Sequence, residues 1–296
     1  MDSIYITGST GSIGSNLVGS LETCNSTCDR IDLGQDPGWS EAFKGKHSVV
    51  HCAALNTSRG YSKESVFKVN VEGTKRIARI AKEVGVSRFL FLSSVKVFGE
   101  YSSEGEVFVD ETSERRPGSV YGESKARAED ELMKLHEPGQ FEVVIIRPTV
   151  VIADPSKGAI GTMARIAAKG YPFPVSRGEN ARDFVTIHNL VSAIKTALLH
   201  PASGGRAYSV TDGGAISTRA LFAALAKVEQ KKPRFLPIPN QSGLRLFQTV
   251  KKEALWHRVF GNLRVDHSRI RDSLGWHPAH GTLEFIGTEF GGNGDA

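Results

Sequence analysis

The stretch Ile4-Tyr5-Ile6-Thr7-Gly8-Ser9-Thr10-Gly11-Ser12-Ile13-Gly14 decides how this chain folds. A short apolar strand runs into three glycines spaced GxxGxxG, and Ser15 to Leu21 then reads as a helix. Glycines at a strand-to-helix turn let the backbone bend tightly and approach a pyrophosphate, which the helix N-terminus can hold. A glycine motif alone is weak, and an ordinary glycine-rich loop is the competing reading. Placed after a first strand and directly before a helix, it predicts a dinucleotide-binding unit. The fold class expected is therefore α/β, a Rossmann-like doubly wound parallel sheet.

Working outward, the next segment is short. A dinucleotide-binding half runs strand, helix, strand, helix, strand. Between Gly14 and Val49 there is room for one further strand, about Asp29 to Leu33, and a short helix near Trp39 to Phe43. Asp32, at that strand's end, could bond a ribose hydroxyl or the adenine amine, or serve as a turn or cap aspartate. Val49 to Ala54 is an apolar run ending in small residues, as a strand end beside a cofactor would be. Lys68 to Thr74 leads into a helix to about Val84, with Gly85 as its C-cap. Arg88 to Leu92 is a buried strand, and Ser93 and Ser94 stand at its C-terminal end, which faces the ligand crevice in open α/β sheets. Two hydroxyls there could also merely cap the strand.

Tyr121-Gly122-Glu123-Ser124-Lys125 opens a proline-free helix reaching Leu135. Residues four apart share a helix face, so the Tyr121 phenol and the Lys125 ammonium can point into one space. A free tyrosine has a pKa near ~10 and is a poor base at neutral pH. A fixed positive charge nearby favours the phenolate. Alone, this is as readily a surface pair. With a glycine turn upstream and Ser94 at a strand end, it becomes a candidate proton-transfer device.

The polar stretch Gly99 to Ser119 reads as a loop, and Phe141 to Pro148 as a strand closed by proline. Beyond it, Gly158 to Lys169 reads as a helix, Tyr171 to Pro174 as a loop, and Arg182 to Ile187 as a strand. Asn189 to His200 reads as a helix, and Ala207 to Val210 as the last sheet strand. Thr218 to Val228 is a helix, followed by a basic proline-rich linker and helical regions about Leu244 to Phe260 and Arg269 to Leu274. The expected organisation is a dinucleotide-binding domain (1–150 and 182–212), a small C-terminal α/β substrate domain (151–181 and 213–290) and a flexible tail (291–296).

Composition narrows the class. Of 296 residues, 40% are hydrophobic and 23% charged, ordinary for a soluble globular protein with a substantial core. No apolar run approaches the ~20 residues that span a bilayer, and the first residues carry no basic leader. Cys24, Cys28 and Cys52 make neither a disulfide framework nor a CxxC site. The expectation is a cytoplasmic protein with reduced thiols, no structural metal and no membrane contact. The net charge of +5 is spread along the chain, so clusters such as Arg264 to Arg271 read as solvated faces rather than a nucleic-acid footprint. A mild positive balance also suits an anionic small substrate.

Several motifs taken in order resemble the extended short-chain dehydrogenase/reductase superfamily, in particular its nucleotide-sugar epimerases and reductases. They are Thr7-Gly8-x-x-Gly11-x-x-Gly14, His51-Cys52-Ala53-Ala54, Asn70-Val71-Glu72-Gly73-Thr74, Ser93-Ser94 before Val97-Phe98-Gly99, Tyr121-Gly122-x-Ser124-Lys125, Arg147-Pro148 and Arg182-Asp183-Phe184. The resemblance covers nearly the whole chain. It is strongest to bacterial 4-epimerases and 4-reductases of N-acetylated UDP-sugars in surface-polysaccharide pathways.

The resemblance implies Tyr121 as acid/base, Lys125 as its pKa partner and a ligand of the nicotinamide ribose, and Ser94 as the third catalytic group. It assigns the pyrophosphate to Gly8, Gly11, Ser12, Ile13 and Gly14, and the adenine side to Asp32 and Leu33. Ala53, Ala54, Asn70, Ser93 and Pro148 would line the cofactor, which is NAD with NADP left open. Ser94, Lys96, Tyr121 and Arg182 would meet the substrate, with Arg182 gripping the diphosphate of a UDP-sugar; an ion pair with Asp183 is the plainer role for Arg182. The implied activity is 4-epimerisation of a UDP-hexose or UDP-N-acetylhexosamine. The alternatives are 4-ketoreduction of a UDP-4-keto-6-deoxy sugar and a non-catalytic cofactor-binding scaffold. Family members often form homodimers through the helices equivalent to 71–84 and 121–135. The chain departs from the family's pattern in three places. The segment after Gly14 is short, Val95-Lys96 stands where 4,6-dehydratases carry Asp-Glu, and Ile152-Ala153-Asp154 replaces Tyr-Gly-Pro.

Overall fold

The strands alternate between two faces from the first residues on. The computed structural model describes residues 3–21, 24–25, 38–56, 60–101, 109–176, 180–238 and 253–291, together with 245, 248 and 249. Among these, the strands are β1 (Ile4–Thr7), β2 (Cys24–Asn25), β3 (Ser48–His51), β4 (Arg88–Leu92) and β5 (Glu142–Pro148), then β6 (Val150–Ile152), β7 (Phe173–Ser176), β8 (Phe184–Thr186), β9 (Arg206–Val210) and β10 (Phe235–Ile238). The main helices are α1 (Ser12–Ser20), α2 (Trp39–Phe43), α3 (Lys63–Phe67), α4 (Thr74–Glu83), α5 (Val120–Met133), α6 (Gly158–Ala168), α7 (Ile187–Leu199) and α8 (Thr218–Val228).

Ile4, Ile6, Val50, Leu90, Leu92, Val144 and Ile146 belong to one apolar cluster. Their strand neighbours Tyr5, Val49, Phe89, Phe91, Val143 and Ile145 belong to another. Successive side chains of a strand point to opposite faces, so strands that are apolar at both parities must lie between two helical layers. The first cluster is covered by α1, α6, α7 and α8, through Leu17, Met163, Leu190 and Phe222 among others. The second is covered by α2, α4 and α5, through Phe43, Ile77 and Leu132. Fully burying each such side chain contributes about 1.5–3 kcal/mol.

The central sheet is parallel throughout, in the order β2-β1-β3-β4-β5-β9. β1 runs through α1 to β2 on one side, while β3 lies on the other, so the order reverses between β1 and β3. In open α/β sheets a ligand crevice forms at such a reversal, beyond the C-terminal strand ends. Here those ends are Thr7-Gly8 and Cys52-Ala53. The doubly wound fold expected from the first fourteen residues is therefore the fold observed. Among the described residues the segment between α1 and α2 adds one strand, the two-residue β2 on the sheet edge. The strand expected about Asp29 to Leu33 lies outside the described residues.

Two expectations need correction. The helix expected from about Lys68 begins at Lys63, where Ser62 caps it by accepting a hydrogen bond from Ser65 N. It passes through a π-helical turn (Lys68–Gly73) into α4 and ends before Gly85, at φ +85°. Phe173 to Ser176 and Phe235 to Ile238, read as loop and linker, pair in parallel as β7 and β10. Pro174 and Pro237 obscure both strands in the sequence, yet a two-stranded sheet has outward edges where a missing N–H leaves no ladder bond unmade. Val175 and Phe173 there join the same apolar cluster as β1 and β4, which links the chain beyond residue 150 to the first unit. A further parallel pair, β6 with β8, connects residues 150–152 to 184–186.

Candidate active site

The glycine turn closes on itself. Gly8 sits at φ +70°, and Gly11 N donates to the Gly8 carbonyl at 3.0 Å. A Cβ on Gly14 would strike that carbonyl, and a Cβ on Gly8 would lie 2.7 Å from Ala53 N. Both positions thus require glycine, one to let α1 approach the turn and the other to let β3's exit pass behind it. Gly11 is the N-cap of α1, with no side-chain cap bond and no acidic residue in the first turn. The first N–H groups of a helix have no partner within it. Those of Ser12, Ile13 and Gly14 point where an anion is stabilised by the helix dipole. An uncapped, acid-free N-terminus against a glycine turn fits the pyrophosphate of a dinucleotide. Asp32 and Leu33, expected at the adenine, lie outside the described residues.

Ala53 and Ala54 follow β3 beside this turn. Asn70, in the π-helical turn, fixes the loop after them: its side chain accepts from Leu55 N at 2.8 Å and donates to Leu55 O at 2.9 Å. It also donates to Ser124 Oγ on α5 at 2.9 Å. One buried amide thus ties the cofactor-side loop to the helix that carries Tyr121 and Lys125.

α5 starts where Ser119 Oγ accepts from Gly122 N. A Cβ on Gly122 would strike the Lys96 carbonyl, so the helix presses against the 3₁₀ turn Val95–Val97 that follows Ser94. The spacing inferred from the sequence is realised. Lys125 Nζ lies 5.8 Å from the Tyr121 ring centroid and 4.4 Å from that of Phe91. It donates to the carbonyl of Leu92, at the C-terminal end of β4, at 2.7 Å. Ser94, buried, stands two residues past that carbonyl, and its Oγ accepts from Lys96 N at 3.3 Å. Pro148 closes β5 in register with Val210.

The electrostatics differ from the sequence expectation. Burial pushes the Tyr121 phenol up to about 12 in the protein alone. Burial also brings Lys125 down to about 8, an effect partly opposed by the negative charge of Glu129. A pair drawn out of water first disfavours both charged forms; Lys125 by itself does not give a low tyrosine pKa. Beside them, burial holds the Cys52 thiol up to about 12 while the Lys125 charge pulls it back.

Ser93 does not turn to the crevice. Its hydroxyl donates to Glu129 Oε1, and Glu129 is gripped in two places by Arg147, at 3.0 Å and 2.7 Å. Burial and two hydroxyl partners, Thr7 and Thr74, likewise fix His51 beneath β3. Its pKa is lowered to about 3 by burial and by the Lys125 charge. Arg182 is buried and donates to the carbonyls of Gly261 at 2.9 Å, Glu100 at 3.1 Å and His257 at 3.2 Å. Its guanidinium thus ties three chain segments together, which replaces the ion pair with Asp183; Asp183 instead accepts from Val265 N. Lys96 lies over the Tyr121 ring at 6.0 Å and pairs with Glu100 at 3.1 Å.

Sequence reasoning missed Glu129 and Glu100. Glu129 had a legible signal, because Tyr121, Lys125 and Glu129 are spaced four apart on one face of α5, buried at Lys125 and Glu129. Glu100 offered only its spacing four residues after Lys96, since Ser119 reaches it only through the packing of α5.

Comparison with known proteins adds to this geometry. Residues 4–211 match the NAD dependent epimerase/dehydratase family. A UDP-glucose 4-epimerase of Vibrio cholerae is 34% identical over 93% of this chain and 90% of its own length. Among solved structures, a short-chain dehydrogenase/reductase superfamily protein from Agrobacterium tumefaciens with bound NAD aligns over 98% of this chain and 96% of its own, with a TM-score of 0.78 at 21% identity. The UDP-glucose 4-epimerase of Thermotoga maritima, solved with UDP-glucose, aligns over 96% of each chain with a TM-score of 0.75 at 20% identity. At these identities the structural matches speak for the shared fold.

Proposed function

The chain belongs to the NAD dependent epimerase/dehydratase family and is an NAD-dependent enzyme, and we propose that it interconverts the C4 epimers of a UDP-sugar, a UDP-hexose or UDP-N-acetylhexosamine. The observation that carries this reading is the pair of half-buried Tyr121 and buried Lys125 at the C-terminal end of β4, together with an uncapped glycine turn after β1. The likeness to the Vibrio cholerae UDP-glucose 4-epimerase supports the substrate class.

Gly8, Gly11, Ser12, Ile13 and Gly14 would hold the cofactor's pyrophosphate, and Ala53, Ala54, Asn70 and Pro148 would border the rest. When bound, its nicotinamide supplies the acceptor and donor of the C4 hydride. Tyr121 Oη takes the proton of the C4 hydroxyl and returns it to the same oxygen once the opposite face has been reduced. Lys125, moored on the Leu92 carbonyl, has two further N–H bonds and a positive charge to keep the phenolate within reach. Ser94 Oγ donates to the C4 oxygen while it is a ketone. In this reading the enzyme acts in the cytoplasm. Two copies pair through the helical segments 71–84 and 121–135, which the ion pair Lys75–Glu131 joins within one copy. A monomer by light scattering at micromolar concentration would count against the pairing.

The deciding assay offers UDP-glucose and UDP-N-acetylglucosamine with NAD and follows the C4 epimer by NMR. In parallel, a UDP-4-keto-6-deoxy sugar is offered with NADH or NADPH. Epimer formation that is lost in Tyr121→Phe supports the proposal. Turnover of the ketosugar alone makes the protein a reductase, and silence in both assays leaves only a cofactor-binding scaffold.

A further inference from the structure

Two ammonium groups face the Tyr121 ring. Lys125 Nζ is 5.8 Å from its centroid and Lys96 Nζ is 6.0 Å from it. Lys96 comes from a different element, the 3₁₀ turn Val95–Val97 after β4. One oxygen of Glu100 lies 3.1 Å from its Nζ, while the other accepts from Ser119 Oγ at 2.8 Å. Ser119 is the N-cap of α5, two residues before Tyr121, and its hydroxyl in turn accepts from Gly122 N. Lys96, Glu100 and Ser119 therefore enclose the first turn of α5. The Glu100 backbone is itself held by Arg182 Nη2 at 3.1 Å. The pair is largely shielded, at 25% exposure for Lys96 and 13% for Glu100, and salt screens a partly buried charge much less than an exposed one.

We propose that the Lys96–Glu100 pair sets the acidity of Tyr121, with Lys96 as a second cation favouring the phenolate and Glu100 as the group that positions it and tempers its charge. This rests on the reading of Tyr121 as the proton-exchanging group. The need for a second cation is visible in the site. Burial raises the phenol to about 12, while Lys125, brought down to about 8, has little positive charge to spare above that pH. Among the described residues, the other carboxylates of this helix have partners of their own. Glu123 is taken by Lys63 and Arg127, and Glu129 by Arg147 and Arg115. The Cys52 thiol, which feels the Lys125 charge, is held protonated by burial. Lys96 and Glu100 are positioning residues here: they act through Tyr121 and are not themselves required to touch the sugar.

The test reads Tyr121 directly, without substrate, so it stands apart from whether any UDP-sugar is turned over. The NAD-loaded protein, labelled with ¹³Cζ-tyrosine, is titrated by NMR, and the Tyr121 resonance is assigned by its loss in Tyr121→Phe. Lys96→Met should raise the tyrosine's pKa and Glu100→Gln should lower it, each on the order of one unit. Lys96→Arg should restore the wild-type value. Shifts in the same direction would mean that the pair merely supports the packing of α5, and overturn the proposal. So would no shift in either variant. If the wild-type phenol stays protonated to the alkaline limit of folding, Glu100→Gln must bring its ionisation into range; a phenol protonated throughout in both proteins also overturns it.

Discussion

Two cations lie buried against the same stretch of α5, and they behave differently. Lys125 reaches a carbonyl and the face of Phe91, with no carboxylate in contact among the described residues. Arg147, one strand over, is clasped in two places by Glu129, which also takes the Ser93 hydroxyl. Tyr121, Lys125 and Glu129 follow one another at four-residue spacing, so a single helical stripe changes character along its length. Where the buried charge has no carboxylate against it, desolvation outweighs the more distant charge of Glu129 and holds the ammonium's pKa well below its ordinary value. Where a bidentate carboxylate answers the charge, the pair is fixed and holds β4, β5 and α5 in register. Reactivity and rigidity on this helix differ by one counter-ion.

The largest expected effect tests the reactive end. Tyr121→Phe should lower kcat by about 10²- to 10⁴-fold while leaving cofactor binding intact, as measured by turnover and by NAD titration. Activity within a few-fold of wild type would remove the contrast altogether. The fixed end should respond in stability instead. Glu129→Ala strands the Arg147 guanidinium in the interior and should cost about 3–5 kcal/mol, read from urea unfolding. A loss below about 1 kcal/mol would mean that water takes over the pair's role.

His51 supplies a third kind of buried group, one kept neutral between two threonine hydroxyls. Its folded pKa of about 3 lies below the unfolded value of 6.5, so the unfolded chain binds the extra proton in that window. Stability contributed by the neutral ring is therefore complete above about pH 6.5 and falls as pH drops toward 3, by about 1.4 kcal/mol per pH unit. In His51→Asn that added acid sensitivity should vanish; identical slopes of stability against pH in the two proteins would refute it. The smallest effect sharpens the comparison at Lys125. Lys125→Met should abolish turnover yet raise stability at pH 7, by no more than about 3 kcal/mol, the lost bond to the Leu92 carbonyl offsetting part of the relieved charge penalty. Because burial lowers the lysine's pKa from 10.5 to about 8, the penalty of the buried charge is full below pH 8 and fades as pH rises to 10.5. The variant's advantage should shrink over the same range.

Much of the site was legible because its signals are local. Gly8, Gly11 and Gly14 act within one turn, and Tyr121 and Lys125 within one helical turn, so spacing alone places them together. Ser93 and Ser94 were equally visible, but sequence could not say which of two adjacent hydroxyls faces the crevice. Strand alternation sends them to opposite sides, and the Ser93 side is occupied by Glu129. Arg182 illustrates the reverse. Its motif was legible, while its hydrogen-bond partners are carbonyls 75 to 82 residues away in sequence.

The sequence by itself determined the α/β class, the glycine turn between β1 and α1, and the pairing of a phenol with an ammonium. Each depends on residues close enough along the chain for backbone geometry to dictate their relation. Only the tertiary structure decided that β7 and β10 are strands, that Glu129 and Glu100 hold the two ends of the α5 stripe, and that burial shifts Tyr121 up and Lys125 down. Desolvation and long-range pairing depend on what the rest of the chain packs against a residue, and no spacing rule contains that information.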